Sequence, residues 1–137
     1  MKEINRFEIA KMIALATEAR ERAYAPYSGF RVGACLKAVS GAYYLGCNIE
    51  NASYTPTICA ERTAVFKAVY EGERSFEALA IISDSSKFTS PCGVCRQVLA
   101  EFCDAEMPVI LADKDGAYKL MSLGELLPLA FTKGDME

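Results

Sequence analysis

Cysteine spacing constrains this chain more than any other feature of it. Cys59-Ala60-Glu61 is followed, 29 residues (62–90) after the glutamate, by Pro91-Cys92-Gly93-Val94-Cys95. Cys-x-x-Cys spacing lets two sulfurs face one ion, and Cys59 offers a third thiolate, so two distant stretches must fold side by side. Three thiolates on zinc leave a fourth position open, and an open position separates a catalytic zinc from a structural one. Glu61, two residues after the first ligand, is placed to handle the protons of a water activated by the metal.

Composition narrows the chemistry further. The chain has no histidine, which excludes Ser-His and Cys-His nucleophile systems, histidine-bearing zinc proteases and 2-His-1-carboxylate iron sites. A proton carrier must be carboxylate, cysteine, lysine or tyrosine, and a transition-metal site must lean on sulfur, which favours zinc over magnesium or manganese. The formal charge of −3, with basic residues interleaved among acids, argues against a nucleic-acid polymer as partner. Although 52% of the residues are apolar, charges or glycines interrupt every run before it reaches membrane-spanning length. A length of 137 residues suits one domain, 1–137. Met1-Lys2-Glu3-Ile4-Asn5 lacks the basic-then-apolar pattern of a secretory signal, so the expected compartment is the cytoplasm, where thiols stay reduced. That compartment argues against reading the six cysteines as a disulfide framework.

Taken in order, the chain opens with Asn5 as a helix cap and Glu8 placed to close a capping box. Phe7, Ile9, Ala10, Ile13, Ala14, Leu15 and Ala16 form a broad apolar stripe of helical period, and the helix should run to about Ala23, since Ala25 precedes Pro26. A turn at 25–29 leads to a strand from about Phe30 to Val39, with Val32, Ala34, Leu36 and Ala38 alternating against Arg31, Gly33, Cys35 and Lys37. Ser40-Gly41 makes a hairpin into a second, antiparallel strand, Ala42 to Cys47. Asn48 to Tyr54 is polar and unperiodic, a natural place for ligand contacts just ahead of Cys59. A helix from Cys59 to about Tyr70 ends at Glu71-Gly72. Phe76 to Ile82 is a strand covered on both faces, as the run Ala78-Leu79-Ala80-Ile81-Ile82 indicates. Ser90 is placed to cap the next helix with Pro91 in its first turn. Strands at Val109–Leu111 and Ala117–Met121 flank the turn Asp113-Lys114-Asp115-Gly116. Ser122 and Glu125 form a capping box for a short last helix, and the tail from Lys133 should fray. The order α-β-β-α-β-α-β-β-α predicts an α/β fold, one mixed sheet with helices on both faces.

Cys59 and the Cys92/Cys95 pair each fall at a predicted helix start, where free N–H groups and partial positive charge stabilise thiolates. Three thiolates outweigh one zinc ion by one unit of charge. Arg62 is placed to donate to a thiolate and offset that excess, and Arg96 is a second candidate. A bare Cys-x-x-Cys with one distant cysteine also suits a redox pair, or a structural zinc completed by Cys35, Cys47 or Cys103. Glu61, Pro91 and the helix starts favour the catalytic arrangement, and Cys35 and Cys103 read as small core residues. Taken alone, Asn48 and Glu50 read as solvated loop residues, Phe30 equally as strand-start core or as a ligand contact, and Phe131 as a C-terminal packing residue.

A series of motifs in order then resembles one family: Ala25-Pro26-Tyr27-Ser28, Phe30-x-Val32-Gly33-Ala34, Gly46-Cys47-Asn48-Ile49-Glu50-Asn51-Ala52, Cys59-Ala60-Glu61-Arg62-Thr63-Ala64, Ser90-Pro91-Cys92-Gly93-x-Cys95-Arg96-Gln97 and Glu125-Leu126-Leu127-Pro128-x-Ala130-Phe131. From about Tyr24 to Phe131 the chain resembles the small homotetrameric cytidine deaminases of pyrimidine salvage. Cys59, where other deaminases carry histidine, points to the three-cysteine branch.

The resemblance implies a three-layer α-β-α fold with a five-stranded mixed sheet. It implies one Zn2+ per subunit on Cys59, Cys92 and Cys95, with Glu61 shuttling protons while activated water adds to C4 of the base and ammonia leaves. It further implies that Asn48 and Glu50 bind the ribose 3′-hydroxyl, that Phe30 packs on the base, and that the Ala60 N–H and Ser90 carbonyl meet the pyrimidine edge. Tyr54 and Phe131 would help build active sites shared across a homotetramer whose partner is a free pyrimidine nucleoside. Other readings are a deaminase of a related molecule such as blasticidin S, a noncatalytic zinc-stabilised module and, against the charge balance, a polynucleotide editor.

Overall fold

The apolar run Phe76–Ser83 forms the central strand of the structure, a computed structural model that describes residues 1–136. Its side chains alternate between two cores: Leu79 and Ile81 face one, Ala78, Ala80 and Ile82 the other. In chain order the elements are α1 (Arg6–Arg20), β1 (Val32–Ala38), β2 (Tyr43–Cys47), α2 (Ala60–Tyr70), β3 (Phe76–Ser83), α3 (Gly93–Phe102), β4 (Pro108–Ala112), β5 (Tyr118–Ser122) and α4 (Leu123–Leu126). The sheet order is β2-β1-β3-β4-β5, with β3 and β4 parallel and every other pair antiparallel.

Helix α1 covers one face through Ile9, Met12 and Ala16. Ala60, Ala64, Val65 and Ala68 of α2, together with Leu99 of α3, cover the other. The result is the expected three-layer α-β-α sandwich. Two glycines let the helices come this close. A Cβ on Gly33 would lie 2.5 Å from Arg20 N and closer still to Ala16 O; one on Gly46 would lie 2.6 Å from Ala64 N and closer still to Ala60 O. Gly46 therefore sets the depth at which the first turn of α2 rests on the sheet.

Several expected boundaries move, each for a long-range reason. Helix α1 ends at Arg20, not Ala23. The N–H groups of Glu21, Arg22 and Ala23 turn back to carbonyls three residues earlier, and Tyr24 N donates 2.9 Å to Asn48 O, drawing the chain onto the sheet edge. Asn5 caps α1 by accepting from Glu8 N at 2.9 Å. The Glu8 carboxylate, however, takes the Tyr43 hydroxyl (2.6 Å) and the Lys37 ammonium (3.0 Å) in place of a capping box. Helix α3 is capped by Cys92 and not by Ser90, whose hydroxyl accepts from Arg96 at 2.6 Å. The Ser122–Glu125 capping box forms as expected. The tail does not fray at Lys133: Lys133–Met136 makes a 3-10 turn, closed by the Asp135 carboxylate accepting from Thr132 N at 2.7 Å, while Glu137 lies outside the described residues.

Candidate active site

Three features bring the cysteines together. The first is the parallel β3–β4 pairing, which fixes α3 beside α2. The second is the short bridge Ile49–Ile58, whose mutual N–H···O bonds of 3.0 Å lay the Asn48–Glu50 loop against the approach to Cys59. The third is the pair of helix caps. Cys59 and Cys92 are the N-cap residues of α2 and α3, in extended backbone with ψ of 156° and 165°. Both sulfurs thus stand over helix N-termini.

The Sγ atoms of Cys59, Cys92 and Cys95 lie within 4.8 Å of one another. Cys59 and Cys92 are 3.7 Å apart, Cys92 and Cys95 3.3 Å. Tetrahedral zinc with Zn–S bonds of about 2.3 Å separates its sulfurs by about 3.8 Å. The donor set and its spacing therefore fit the ion, and among the described residues no fourth metal-binding side chain joins the group. Cys35, Cys47 and Cys103 do not complete a closed site. Burial pushes the thiols of Cys35 and Cys103 up to about 12, and Cys47 Sγ donates to the Arg22 carbonyl at 3.4 Å.

Electrostatics separate Cys59 from Cys95. The Cys59 thiol is lowered to about 5, chiefly by the neighbouring Cys95 thiol, with Arg62 adding to the effect. The Cys95 thiol is raised in turn, first by the neighbouring Cys59, and burial adds to that. Arg62 Nη2 donates to Cys59 Sγ at 3.4 Å, the role expected of it. Its buried Nε has no hydrogen-bond partner among the described residues. Arg96 does not share this role. Its Nε, Nη1 and Nη2 donate to Pro91 O (2.7 Å), Leu126 O (2.5 Å) and Ser90 Oγ (2.6 Å), so it holds the loop before α3 and touches no sulfur.

Glu61 is 4% exposed in the first turn of α2. Burial pushes its carboxyl up to about 7, and the neighbouring Cys59 charge pushes the same way. A carboxyl poised there accepts and releases protons readily at neutral pH.

Above these groups lies a cleft of about 270 Å³, with Glu61, Cys59, Cys92 and Ala60 at its floor and Phe30, Asn48, Glu50 and Ser90 on its walls. Ala60, as the first residue of α2, has an N–H with no acceptor inside the helix. Asn48 is nearly buried, its amide oxygen accepting from Val32 N (2.9 Å) and its nitrogen donating to Phe30 O (2.8 Å). Two expected site residues stand apart from this cleft. Tyr54, 74% exposed and in left-handed backbone (φ 61°), borders an adjoining hollow with Tyr27, Ser28 and Thr57. Phe131 is exposed, its carbonyl accepting from Gln97 Nε2 at 2.6 Å. Ser28 and Thr89, which also line the cleft, escaped individual notice in the sequence. For Ser28 the usable signal was its place in the Ala25–Ser28 turn.

Fold and site define a zinc-binding class of protein, with three converging cysteine thiols that could hold the ion and a buried carboxyl beside them. A protein-family profile, the cytidine and deoxycytidylate deaminase zinc-binding region, matches residues 8–111, and the chain belongs to that family. It is 54% identical over 129 residues to a cytidine deaminase of Sporosarcina psychrophila, covering 94% of this chain and 95% of that one. It is 50% identical over 125 residues to a cytidine deaminase of Halalkalibacterium halodurans, covering 91% and 95%. A crystal structure of cytidine deaminase from Burkholderia pseudomallei superposes with a TM-score of 0.87 at 43% identity, covering 93% of this chain and 100% of that one.

Proposed function

We propose that this chain deaminates cytidine and 2′-deoxycytidine hydrolytically, yielding uridine or 2′-deoxyuridine and ammonia, as a step of pyrimidine salvage. One observation carries the reading: the buried Glu61 carboxyl shares a helix turn with one of three converging thiols and opens onto a cleft sized for a small molecule. Zinc held by Cys59, Cys92 and Cys95 supplies acidification of a water molecule to near neutrality when bound. Glu61 takes the first proton of that water and places it on N3 as the oxygen adds to C4. It then carries the second from the new hydroxyl to the amine, so the product keeps N3–H and ammonia leaves whole. Arg62 holds Cys59 as the thiolate throughout.

Around this centre, Phe30 packs on the base, and Asn48 and Glu50 receive the ribose 3′-hydroxyl. The second N–H of the Asn48 amide and the fourth lone-pair site of Glu50 are the groups left over for it. The Ala60 N–H and Ser90 carbonyl meet the pyrimidine edge.

Tyr54 and Phe131 serve neighbouring copies in a homotetramer with shared sites. Support for assembly comes from a groove of about 940 Å³ along the open edge of β2, where Phe66 and Tyr70 turn apolar surface to solvent and Tyr70 is 87% exposed. Each subunit is a single domain, and the six free cysteines suit a reducing cytoplasm.

The test is loss of cytidine absorbance with zinc-loaded protein, alongside Glu61→Gln and chelator-stripped samples. Turnover by the first sample alone is expected. No turnover of cytidine or deoxycytidine by zinc-loaded protein would defeat the proposal.

A further inference from the structure

We infer that Ser28 is a positioning residue for the sugar end of the substrate, its one hydroxyl tying the Glu50 carboxylate to the backbone of Phe30. The inference rests on the reading above, in which Phe30 and Glu50 touch the nucleoside.

Glu50 Oε1 accepts from Tyr27 N and Ser28 N, both at 3.0 Å, and Oε2 accepts from Ser28 Oγ, a residue 22 positions away in sequence. The same Oγ accepts from Phe30 N at 3.0 Å. A hydroxyl has one proton to give. Because the Phe30 N–H approaches the oxygen from its lone-pair side, that proton is directed at Glu50. Asn48 Nδ2 meanwhile grips the Phe30 carbonyl at 2.8 Å. The base wall and the sugar carboxylate, borne on two separate loops, are thereby locked into one piece. A carboxylate offers about four acceptor sites. With three filled from the 27–28 turn, the carboxylate arrives at the substrate already oriented, with room for one further donor. These groups lie at the open mouth of the cleft, where water would otherwise let Glu50 swing. Preorganisation of this kind lowers the cost of binding without touching the chemistry at C4. The Glu50 carboxyl is held below its ordinary range, first by the Ser28 hydroxyl, as this bonding requires.

The experiment measures kcat and KM of zinc-loaded Ser28→Ala, Ser28→Thr, Ser28→Val and Glu50→Gln on cytidine and on 3′-deoxycytidine, which lacks the sugar hydroxyl. Threonine and valine are isosteric and differ in the hydroxyl alone, so their comparison stands even if alanine loosens the turn. Losing one hydrogen bond to a charged group is worth about tenfold. Ser28→Ala and Ser28→Val should therefore raise KM for cytidine about tenfold with kcat within about twofold, and raise it about twofold or less for 3′-deoxycytidine. Ser28→Thr should stay within about twofold of the native protein on both. If Glu50→Gln raises KM for cytidine while Ser28→Val matches Ser28→Thr, the role of Ser28 is overturned and the substrate reading stands. If Glu50→Gln leaves KM unchanged, the substrate reading falls and the inference falls with it. Equal losses on both nucleosides would show mere loosening of the cleft mouth and would also overturn the proposal.

Discussion

Helices α2 and α3 begin alike and then diverge. Each has a cysteine as its N-cap in extended backbone, each turns a thiol toward the same centre, and each carries an arginine about one turn on. Cys59 makes no capping bond with its side chain, whereas the sulfur of Cys92 accepts from Cys95 N. The first turn of α2 holds the buried Glu61, while that of α3 holds no acid. Arg62 spends a donor on sulfur, and Arg96 spends its donors on two carbonyls and a hydroxyl. One motif, repeated at two helix starts, is thus divided into a half with a buried acid and a half that fastens a loop. On the function proposed above these are a reactive half and a holding half. The division explains why only one arginine tunes the thiolates. A second guanidinium on the same sulfurs would weaken their donation to the metal, while the loop entering α3 needs its carbonyls satisfied.

The sharpest way to break this division is at Glu61. Glu61→Gln keeps the size and the burial of the side chain but cannot carry a proton, so kcat/KM for cytidine should fall by at least about 10²–10⁴-fold. Zinc content should stay at one per chain by atomic emission. If the variant retained more than about a tenth of native activity, the reactive role assigned to the α2 start would fail.

Next in size is the contrast between the arginines. Arg62→Ala removes the donor on Cys59, and outer partners of this kind are worth about 10–100-fold in metal affinity. Competition with a chromophoric chelator should show zinc binding weakened by that factor. Arg96→Ala should leave zinc affinity within about threefold and instead lower stability in urea by about 1.5 kcal/mol, since it strips charged donors from carbonyls that are half-buried. Equal zinc loss in the two variants would erase the distinction.

How much of this was legible beforehand follows the range of the interaction involved. The two-faced burial of β3 showed in the run Ala78–Ile82, because a strand's period needs no partner to be read. The convergence of the three cysteines beside Glu61 showed in their spacing. Long-range competition was invisible: Glu8 gives up its capping box because Tyr43 and Lys37 reach it across the sheet, and Tyr24 leaves α1 for Asn48. The α3 cap was misplaced by two residues because Ser90 is of the type that suits an N-cap locally and Cys92 is not. Arg96, reaching Ser90 Oγ and Pro91 O, decides between them. Arg62 and Arg96 looked equivalent for the same reason, since each stands about one turn into a helix. Tyr54 and Phe131 lie outside the cleft, and no local pattern placed them there.

The smallest expected effect probes the holding half from its far side. Asp84, the first residue after β3 on the way to α3, accepts from Arg31 Nε (3.1 Å) and Nη2 (3.0 Å) and from Arg31 N (3.0 Å), fastening that loop to the strand beside Phe30. The Arg31 guanidinium holds the Asp84 carboxyl below its ordinary range. A depressed carboxyl contributes stability that is present above its unfolded pKa, near 3.9, and lost as pH falls through its lower folded value. The Arg31 side chain is 41% exposed, so solvent screens the pair and its contribution is small. Asp84→Asn should therefore lower the thermal midpoint by about 2–3 °C at pH 7. The gap to native should begin to close as pH falls below about 3.9 and should narrow in 1 M salt, with zinc stoichiometry unchanged. A gap that stays constant from pH 7 to pH 3 would mean that the loop is held by packing and not by the ion pair, and the holding half would owe its geometry to Arg96 alone.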